Sequence, residues 1–400
     1  MSTMSYEDFQ EKVSKLKTTK DVNNFTKELV VPILQEMLEV EMNQHLGYRK
    51  NDIQGNNSGN SRNGYLKKNF KGSFGKARIN VPRDRNSSFN PLAIRKYETV
   101  DSDLEEKIIS MYAKGITTRD INKHIFDIYG VEISAGMVSN ITDKIMPLIE
   151  EWQNRPLDNI YPIVYLDGIH FKVRTSGRIK TVCAYTVLGI NIDGKKNILG
   201  IWIGEAESAK FWLKVLSEIK ERGVEDILIT CIDGLRGFKD AIQTIYPKTQ
   251  IQRCIIHQIR NTVKYIPHRY KKDFCNSLKA IYKASNEQSG FKTIEQIKKD
   301  WPQYEIHLKS WEDNWNELST LFEYPAQIRK IIYTTNAVEG VHRQLRKITK
   351  TTTIFPHEES LKKLLWLGIN DISKKWTMSV HNWGNIITQF AIIHPDRIKL

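Results

Sequence analysis

Three Asp-Gly pairs stand in this chain, at Asp167, Asp193 and Asp233. Asp193 lies in NIDGKK, between the apolar runs KTVCAYTVLGI and NILGIWIG, where Asp-Gly is a two-residue hairpin turn that needs positive φ. The other two follow continuous apolar runs, YPIVYL before Asp167 and DILITCI before Asp233. If these runs are neighbouring strands, both carboxylates emerge at corresponding strand ends, where like charges repel unless a cation lies between them. A third carboxylate comes from IRKIIYTTNAVEGVHRQLRK: Asn336 is predicted to open a helix with Glu339 in its first turn. His342, Arg343, Arg346 and Lys347 follow on adjacent faces, a phosphate-seeking surface beside the acid. A strand-end Asp or a first-turn Glu also serves as a plain cap, so the reading rests on the three together. Oxygen donors without a soft ligand suit Mg2+ or Mn2+ rather than zinc. Two such ions, roughly 3.5–4 Å apart, activate a water or a 3′-hydroxyl on one side of a phosphodiester and stabilise the leaving oxygen on the other. Because crowded carboxylates repel without metal, their replacement by Ala is expected to leave folding stability unchanged or slightly raised.

The elements that must position these groups are legible as a change of composition near residue 158. Downstream, the apolar runs and the amphipathic KFWLKVLSEIKERG read as a mixed sheet with a helical crossover. Upstream, residues 5–46 read as helical, with Phe25, Leu29, Val30, Ile33, Leu34, Met37 and Leu38 on one face, suited to a helical hairpin or a dimer contact. GNNSGNSRNG, residues 55–64, reads as a flexible join. Between Arg49 and Lys96 there are 12 Lys or Arg against only Asp52 and Asp84, a segment of short strands suited to a DNA backbone. Residues 108–145 then have helix-turn-helix spacing: a helix, Gly115, a helix from Thr117, a turn at Gly130, and a helix capped by Ser134. Ser139 and Asn140 would face base edges, with Arg119 and Lys123 near phosphates.

Charge agrees with a polyanionic partner. Lys plus Arg is 60 against 46 for Asp plus Glu, a net +14 with a pI near 9.3. No stretch approaches the roughly 18 apolar residues of a membrane span, and the N-terminus lacks a signal-peptide core, so a cytoplasmic chain is expected. Cys183, Cys231, Cys254 and Cys275 lie far apart and are expected to be reduced. Cys254 and His257 form a CxxH without a second ligand pair, which favours packing or hydrogen bonding over zinc. Trp311 and Trp315 are expected to pack between helices rather than stack on a base. His170, three residues after Asp167, is left out of the catalytic set.

Together DGIHFKVR, GIWIGEAESAKFWLKVL, CIDGLRGF, CIIHQIRN, IYTTNAVEGVHRQLRK and ISKKWTMSVHNWG, with upstream GNSRNGY and VPRDRN, resemble the Mutator-type transposases of bacterial insertion sequences, in matching order from about residue 30 onward. The resemblance implies an α/β fold: a ribonuclease H-like catalytic core, a mixed five-stranded sheet flanked by helices, with a helical insertion and an N-terminal helix-turn-helix DNA-binding region. It implies a DDE triad of Asp167, Asp233 and Glu339 holding two Mg2+ (or Mn2+) ions. It places Cys254 and His257 beside the active site in a supporting role. The expected organisation is a helical segment 1–48, a basic β segment 49–100, the helix-turn-helix 101–150, core 158–261, insertion 262–332, and core helices 333–400 carrying Glu339. The expected activity is binding of terminal inverted repeats, strand cleavage and transfer to target DNA. The protein would act on double-stranded DNA as a homo-oligomer, at least a dimer, at the bacterial nucleoid. Gly340 departs from the Ser usual in that family after the glutamate. The rival readings are a non-catalytic DNA-binding regulator derived from a transposase, and a different metal nuclease on the same core.

Overall fold

A computed structural model describes residues 5–56, 58–205, 208–234 and 238–398, which form two compact units, Met1–Lys144 and Ile145–Leu400. Parts of two motifs quoted above, residues 206–207 and 235–237, lie outside the described residues.

In the first unit, α1 (Tyr6–Ser14) and α2 (Thr19–Leu46) each begin with a capping box, from Ser5 with Asp8 and from Thr18 with Asp21. Strands β1 (Arg62–Gly72) and β2 (Gly75–Asp84) form an antiparallel hairpin. Its inner face, Phe70, Ile79 and Val81, packs with Leu38 of α2 and Ile94, which leaves Lys67, Asn69, Lys76 and Arg78 exposed on the other face. The loop before β1 is not the flexible join its composition suggested. Asn60 donates to Asp84 Oδ2 at 2.8 Å and receives Tyr48 Oη on its carbonyl at 3.0 Å. Asp84 also accepts from Ser88 N, Ser88 Oγ and Phe89 N. Burial raises the Asp84 pKa, but these hydrogen bonds outweigh it and hold the group well below the usual carboxylate range. The polar composition thus serves side-chain ties. Helices α3 (Ser102–Ala113), α4 (Thr118–Tyr129) and α5 (Ala135–Asp143) pack around Leu104, Ile108, Ile121, Ile125 and Val138. Thr117 and Ser134 cap α4 and α5, and Gly115 and Gly130 take the left-handed turns between the helices.

The second unit starts with α6 (Met146–Asn154) and continues through β3 (Ile160–Thr175), β4 (Arg178–Ile190), β5 (Lys196–Gly204), α7 (Ala209–Glu221), β6 (Asp226–Ile232), α8 (Phe238–Ile245) and β7 (Gln250–Arg253). The sheet order is β5-β4-β3-β6-β7, with β3, β4 and β5 antiparallel and β6 and β7 parallel to β3. The Asp193-Gly194 pair is the β4–β5 turn, with Gly194 at φ 77° and its amide donating to Asn191 O. One face of the sheet packs Val164, Leu166, Tyr185 and Val187 against Trp212, Val215 and Leu216 of α7 and Phe238 and Ala241 of α8. Beyond β7 come α9 (Ile255–Val263), α10 (His268–Lys283), α11 (Glu287–Asp300), α12 (Glu305–Asp313), α13 (Trp315–Leu318) and α14 (Ala326–Ile332). Trp311 and Trp315 are buried among them, their indole N–H groups donating to Thr262 Oγ1 and Glu287 Oε1. Finally α15 (Asn336–Thr349) and α16 (Glu358–Ser373) cover the second sheet face, and α17 (Trp383–Ile393) closes the chain. No described helix is long and apolar enough to cross a membrane.

Candidate active site

Asp167 does not end its strand. β3 runs on to Thr175, paired with β4 throughout, and what ends at Leu166 is the parallel pairing with β6, whose last partner is Ile232. The continuous apolar run therefore stops where the neighbouring strand stops. Asp233 follows Ile232, so Asp167 and Asp233 stand side by side at the end of the parallel pair. Ile163 pairs with Ile229 and Tyr165 with Cys231, and this alternation puts both Asp residues on the second sheet face. Gly168 points the other way, where a Cβ would lie 2.5 Å from Cys183 Sγ. Gly234 adopts φ 91°, and the Arg253 guanidinium fills the space a side chain would take.

Glu339 is brought to this face by the Tyr333–Thr335 turn that precedes α15. Tyr165 Oη donates to Ile331 O at 3.1 Å, Cys231 Sγ donates to Ile332 O at 3.5 Å, and Ile255 N donates to Tyr333 O at 2.9 Å. Both core strands and α9 thus hold the entry to the helix. Beyond it, Phe355 exchanges backbone hydrogen bonds with Lys172 and Arg174 of β3. Glu339 lies in the first turn, as its spacing predicted, and Arg343, Arg346 and Lys347 are exposed on the following turns.

The carboxylates have protein partners. His342 Nδ1 lies 3.2 Å from Asp167 Oδ2, with both side chains under a tenth exposed, and Gly168 N donates to Asp167 Oδ1. The buried His342 Nε2 has no hydrogen-bond partner among the described residues. Arg260 binds Glu339 with both terminal nitrogens, at 2.9 and 3.3 Å, and His257 Nε2 lies 3.4 Å from Glu339 Oε1. Among the described residues, no three His, Cys, Asp or Glu side chains already enclose a metal-sized site, Glu339 being turned to Arg260. These pairings reverse the expected stability effect: Ala at 167 or 339 deprives a cationic or polar partner of its carboxylate, so it is expected to destabilise. The sequence reading passed over Arg260, and it put His342 on the phosphate-seeking surface, whereas His342 is buried beside Asp167. Arg260 lies in the CIIHQIRN motif, whose i, i+3 spacing from His257 places both on one face of α9.

Cys254 is fully buried at the N-terminus of α9, and Thr335 Oγ1 lies 3.5 Å from both its sulfur and His257 Nδ1. Burial pushes the Cys254 thiol up, but hydrogen bonds from His257 and Thr335 outweigh it and leave the thiol below its usual range. Thr335 thus ties the CxxH of α9 to the turn before α15. His257 is held above the usual imidazole range, first by its hydrogen bond with Cys254, against burial, then by the charges of Cys254, Asp167 and Asp233. One imidazole therefore senses both Asp carboxylates and touches Glu339. A raised folded-state pKa means that protonated His257 stabilises the fold below about pH 6.5 and that this contribution is lost as pH rises through the raised value. In metal-free buffer, His257→Gln is expected to flatten the fall of Tm as pH rises above about 6.5. An unchanged profile would assign that titration to other groups.

A Cβ at Gly340 would meet no atom within 4 Å. Gly340→Ala is therefore expected to stabilise α15 by about 1 kcal/mol, read as a small rise in Tm. A fall would mean that the glycine is required by its surroundings.

Exposed Arg119 and Lys123 of α4 line a cleft of about 530 Å³ in the first unit with Lys71 and Phe126; Asn140 is exposed and Ser139 half-buried on α5.

The family model described as "Transposase, Mutator family" matches residues 1–379. A "probable transposase for insertion sequence element ISRM3-like" of Sinorhizobium fredii is 39% identical over 91% of this chain and 90% of its own length. The transposase for insertion sequence element ISRM3 of Rhizobium meliloti is 38% identical over the same shares. That for IS905 of Lactococcus lactis is 31% identical over 90% of this chain and 92% of its own.

Proposed function

Because the chain belongs to the Mutator family of transposases, we propose that it binds the terminal inverted repeats of an insertion sequence, cleaves DNA strands there, and joins the resulting 3′-hydroxyls to target DNA. The observation that carries this reading is the placement of Asp167 and Asp233 side by side on one sheet face, with the helix bearing Glu339 packed over that face. The strand order supports a ribonuclease H-like core, with α9 to α14 as its helical insertion and the triad as a DDE site.

The residues fit a divalent cation. All three candidate ligands offer carboxylate oxygen, and the site already draws cationic side chains, Arg260 and His257, to Glu339. Asp167, Asp233 and Glu339 would hold two Mg2+ or Mn2+ ions, which supply an activated water or 3′-hydroxyl and stabilise the leaving oxygen. His342 packs against one oxygen of Asp167 and Gly168 N donates to the other, which fixes the direction of the carboxylate. Arg260 neutralises Glu339 until that carboxylate turns inward, and its half-exposed guanidinium is then available to a DNA phosphate. Arg343, Arg346 and Lys347 contact the backbone on the same helix. No side chain serves as a covalent nucleophile.

In the first unit, α3 to α5 act as a helix-turn-helix, with Arg119 and Lys123 on phosphates and Ser139 and Asn140 toward base edges, and the basic β1–β2 face adds backbone contacts. A second copy docks on the exposed apolar stripe of Ile33, Met37 and Val40 on α2. The test is incubation of the full chain with DNA carrying the element's ends, in Mg2+ or in chelator, with each nick mapped on a denaturing gel. Metal-dependent nicks at the element boundary are expected. A folded protein that binds the ends but never cuts them would favour the regulator reading, and cutting without joining would favour a nuclease.

A further inference from the structure

The motif ISKKWTMSVHNWG finds no role in the carboxylate site. Its central residues form the connection between α16 and α17, which is pinned at both ends: Lys375 N donates to Ile372 O, and Val380 N donates to Gly194 O at the β4–β5 turn. Trp383, buried against Gly194, donates its indole N–H to Ile192 O. The fold thus fixes a non-helical segment that carries exposed Lys375, Met378 and His381.

Under this segment lies a cavity of about 550 Å³. Lys196, Lys330, Lys375 and His381 line it with the aromatic rings of Trp376 and Tyr333, and no carboxylate contributes to the lining. None of the three lysines has an ion-pair partner among the described residues; Lys196 Nζ instead lies 5.8 Å from the centre of the Trp376 ring. Unneutralised ammonium groups converging on one hollow attract an anion, and aromatic faces beside them suit a nucleobase.

The sheet register places this cavity relative to the carboxylates. Lys196 pairs with Ile190 and Ile190 with Ile163, so all three share the face of Asp167, which pairs with Thr186. Ile163 is four residues from Asp167, about 13 Å along the strand. Tyr165, between them on the same face, lines the cavity. A strand whose phosphodiester lies at the carboxylates can reach this hollow within a few nucleotides.

We infer that the cavity beneath residues 375–381 binds a nucleotide of the DNA strand that passes the carboxylates, its phosphate on Lys196, Lys330 and Lys375 and its base against Trp376. The assignment rests on the strand-cleavage reading for its occupant. A free nucleotide or phosphate has the same chemistry, so the experiment separates the sources.

The full chain is titrated in chelator with a labelled single-stranded oligonucleotide of the element end, at several salt concentrations. Relative to the native chain, combined Lys196→Gln, Lys330→Gln and Lys375→Gln is expected to reduce the slope of log affinity against log salt by about 0.7, the value for one lost phosphate contact on a single strand. Trp376→Ala is expected to weaken binding about 5- to 150-fold. Each single Lys→Gln variant should lower the slope in the same direction by a fraction of that, which keeps the test valid if the triple variant melts early. An unchanged slope in folded variants overturns the proposal. So does occupancy by a deoxynucleoside monophosphate or inorganic phosphate that Lys→Gln abolishes while oligonucleotide binding is unaffected, since that marks a small-anion site. Binding in chelator requires no cleavage. A normal slope change in a protein that never cuts would therefore sink the cleavage reading alone, and an unchanged slope in a protein that cuts would sink this one alone.

Discussion

Ala at Asp167, Asp233 or Glu339 is expected to lower strand cleavage by about three orders of magnitude or more while binding to the element ends persists. Each change removes a charged oxygen ligand worth several kcal/mol of transition-state stabilisation, and about 1.4 kcal/mol is tenfold in rate. Hydrolysis and transfer should fall together, as the proposal of one site for both steps requires. The Ala variants also disturb the fold: without Asp167, buried His342 loses its partner, a cost of about 1–3 kcal/mol. Asp167→Asn and Glu339→Gln are the cleaner substitutions, since an amide oxygen still accepts from Gly168 N or Arg260 while the ligand charge is gone. Single-turnover cleavage of a labelled element end, beside a thermal melt, separates the two effects. Folded Asn or Gln variants that cut at the native rate would remove the triad.

Gly234→Ala is expected to be the most damaging small substitution near the site. At φ 91° an L-residue is strained by about 1–3 kcal/mol. The added Cβ would also overlap Arg253 Nε, and Arg253 donates to Gly234 O at 2.7 Å and to Asn314 Oδ1. The guanidinium must therefore leave or the backbone must move, and Asp233 is the adjacent residue. A displacement of about 1 Å at a ligand costs on the order of 100-fold in rate. Gly177→Ala is the control, with φ 77° in the open β3–β4 turn and no atom within 4 Å of its Cβ position. It should lose stability but keep full activity. Equal cleavage by both variants would show that the Arg253 contact does not position Asp233.

How far the chain could be read in advance depended on the range of the interactions. Local signals carried well: the Ser134 and Thr117 caps, the Asp193-Gly194 turn and the first-turn position of Glu339 all depend on residues a few places apart. The mixed sheet followed from uninterrupted apolar runs. Three features depended on distant partners and were misread or missed. Asp167 seemed to end a strand because the continuous apolar run breaks there, yet the break belongs to β6, which stops at Ile232, while β4 keeps pairing to the far end of β3. The Gly/Asn/Ser loop looked mobile because its composition is that of linkers, whereas Asn60 is tied to Asp84, 24 residues away. Arg260 and Glu339 are 79 residues apart, and nothing in either local pattern announces their pairing. That pairing is also why the carboxylates are not simply crowded anions.

The central claim, that carboxylates from β3, the end of β6 and α15 form one two-ion centre, is tested most directly by calorimetric titration of Mn2+ into the full chain bound to element-end DNA. Two ions per chain are expected for the native sequence, with at least one lost or weakened more than tenfold in each of Asp167→Asn, Asp233→Asn and Glu339→Gln. The same stoichiometry and affinity in all four proteins would contradict it.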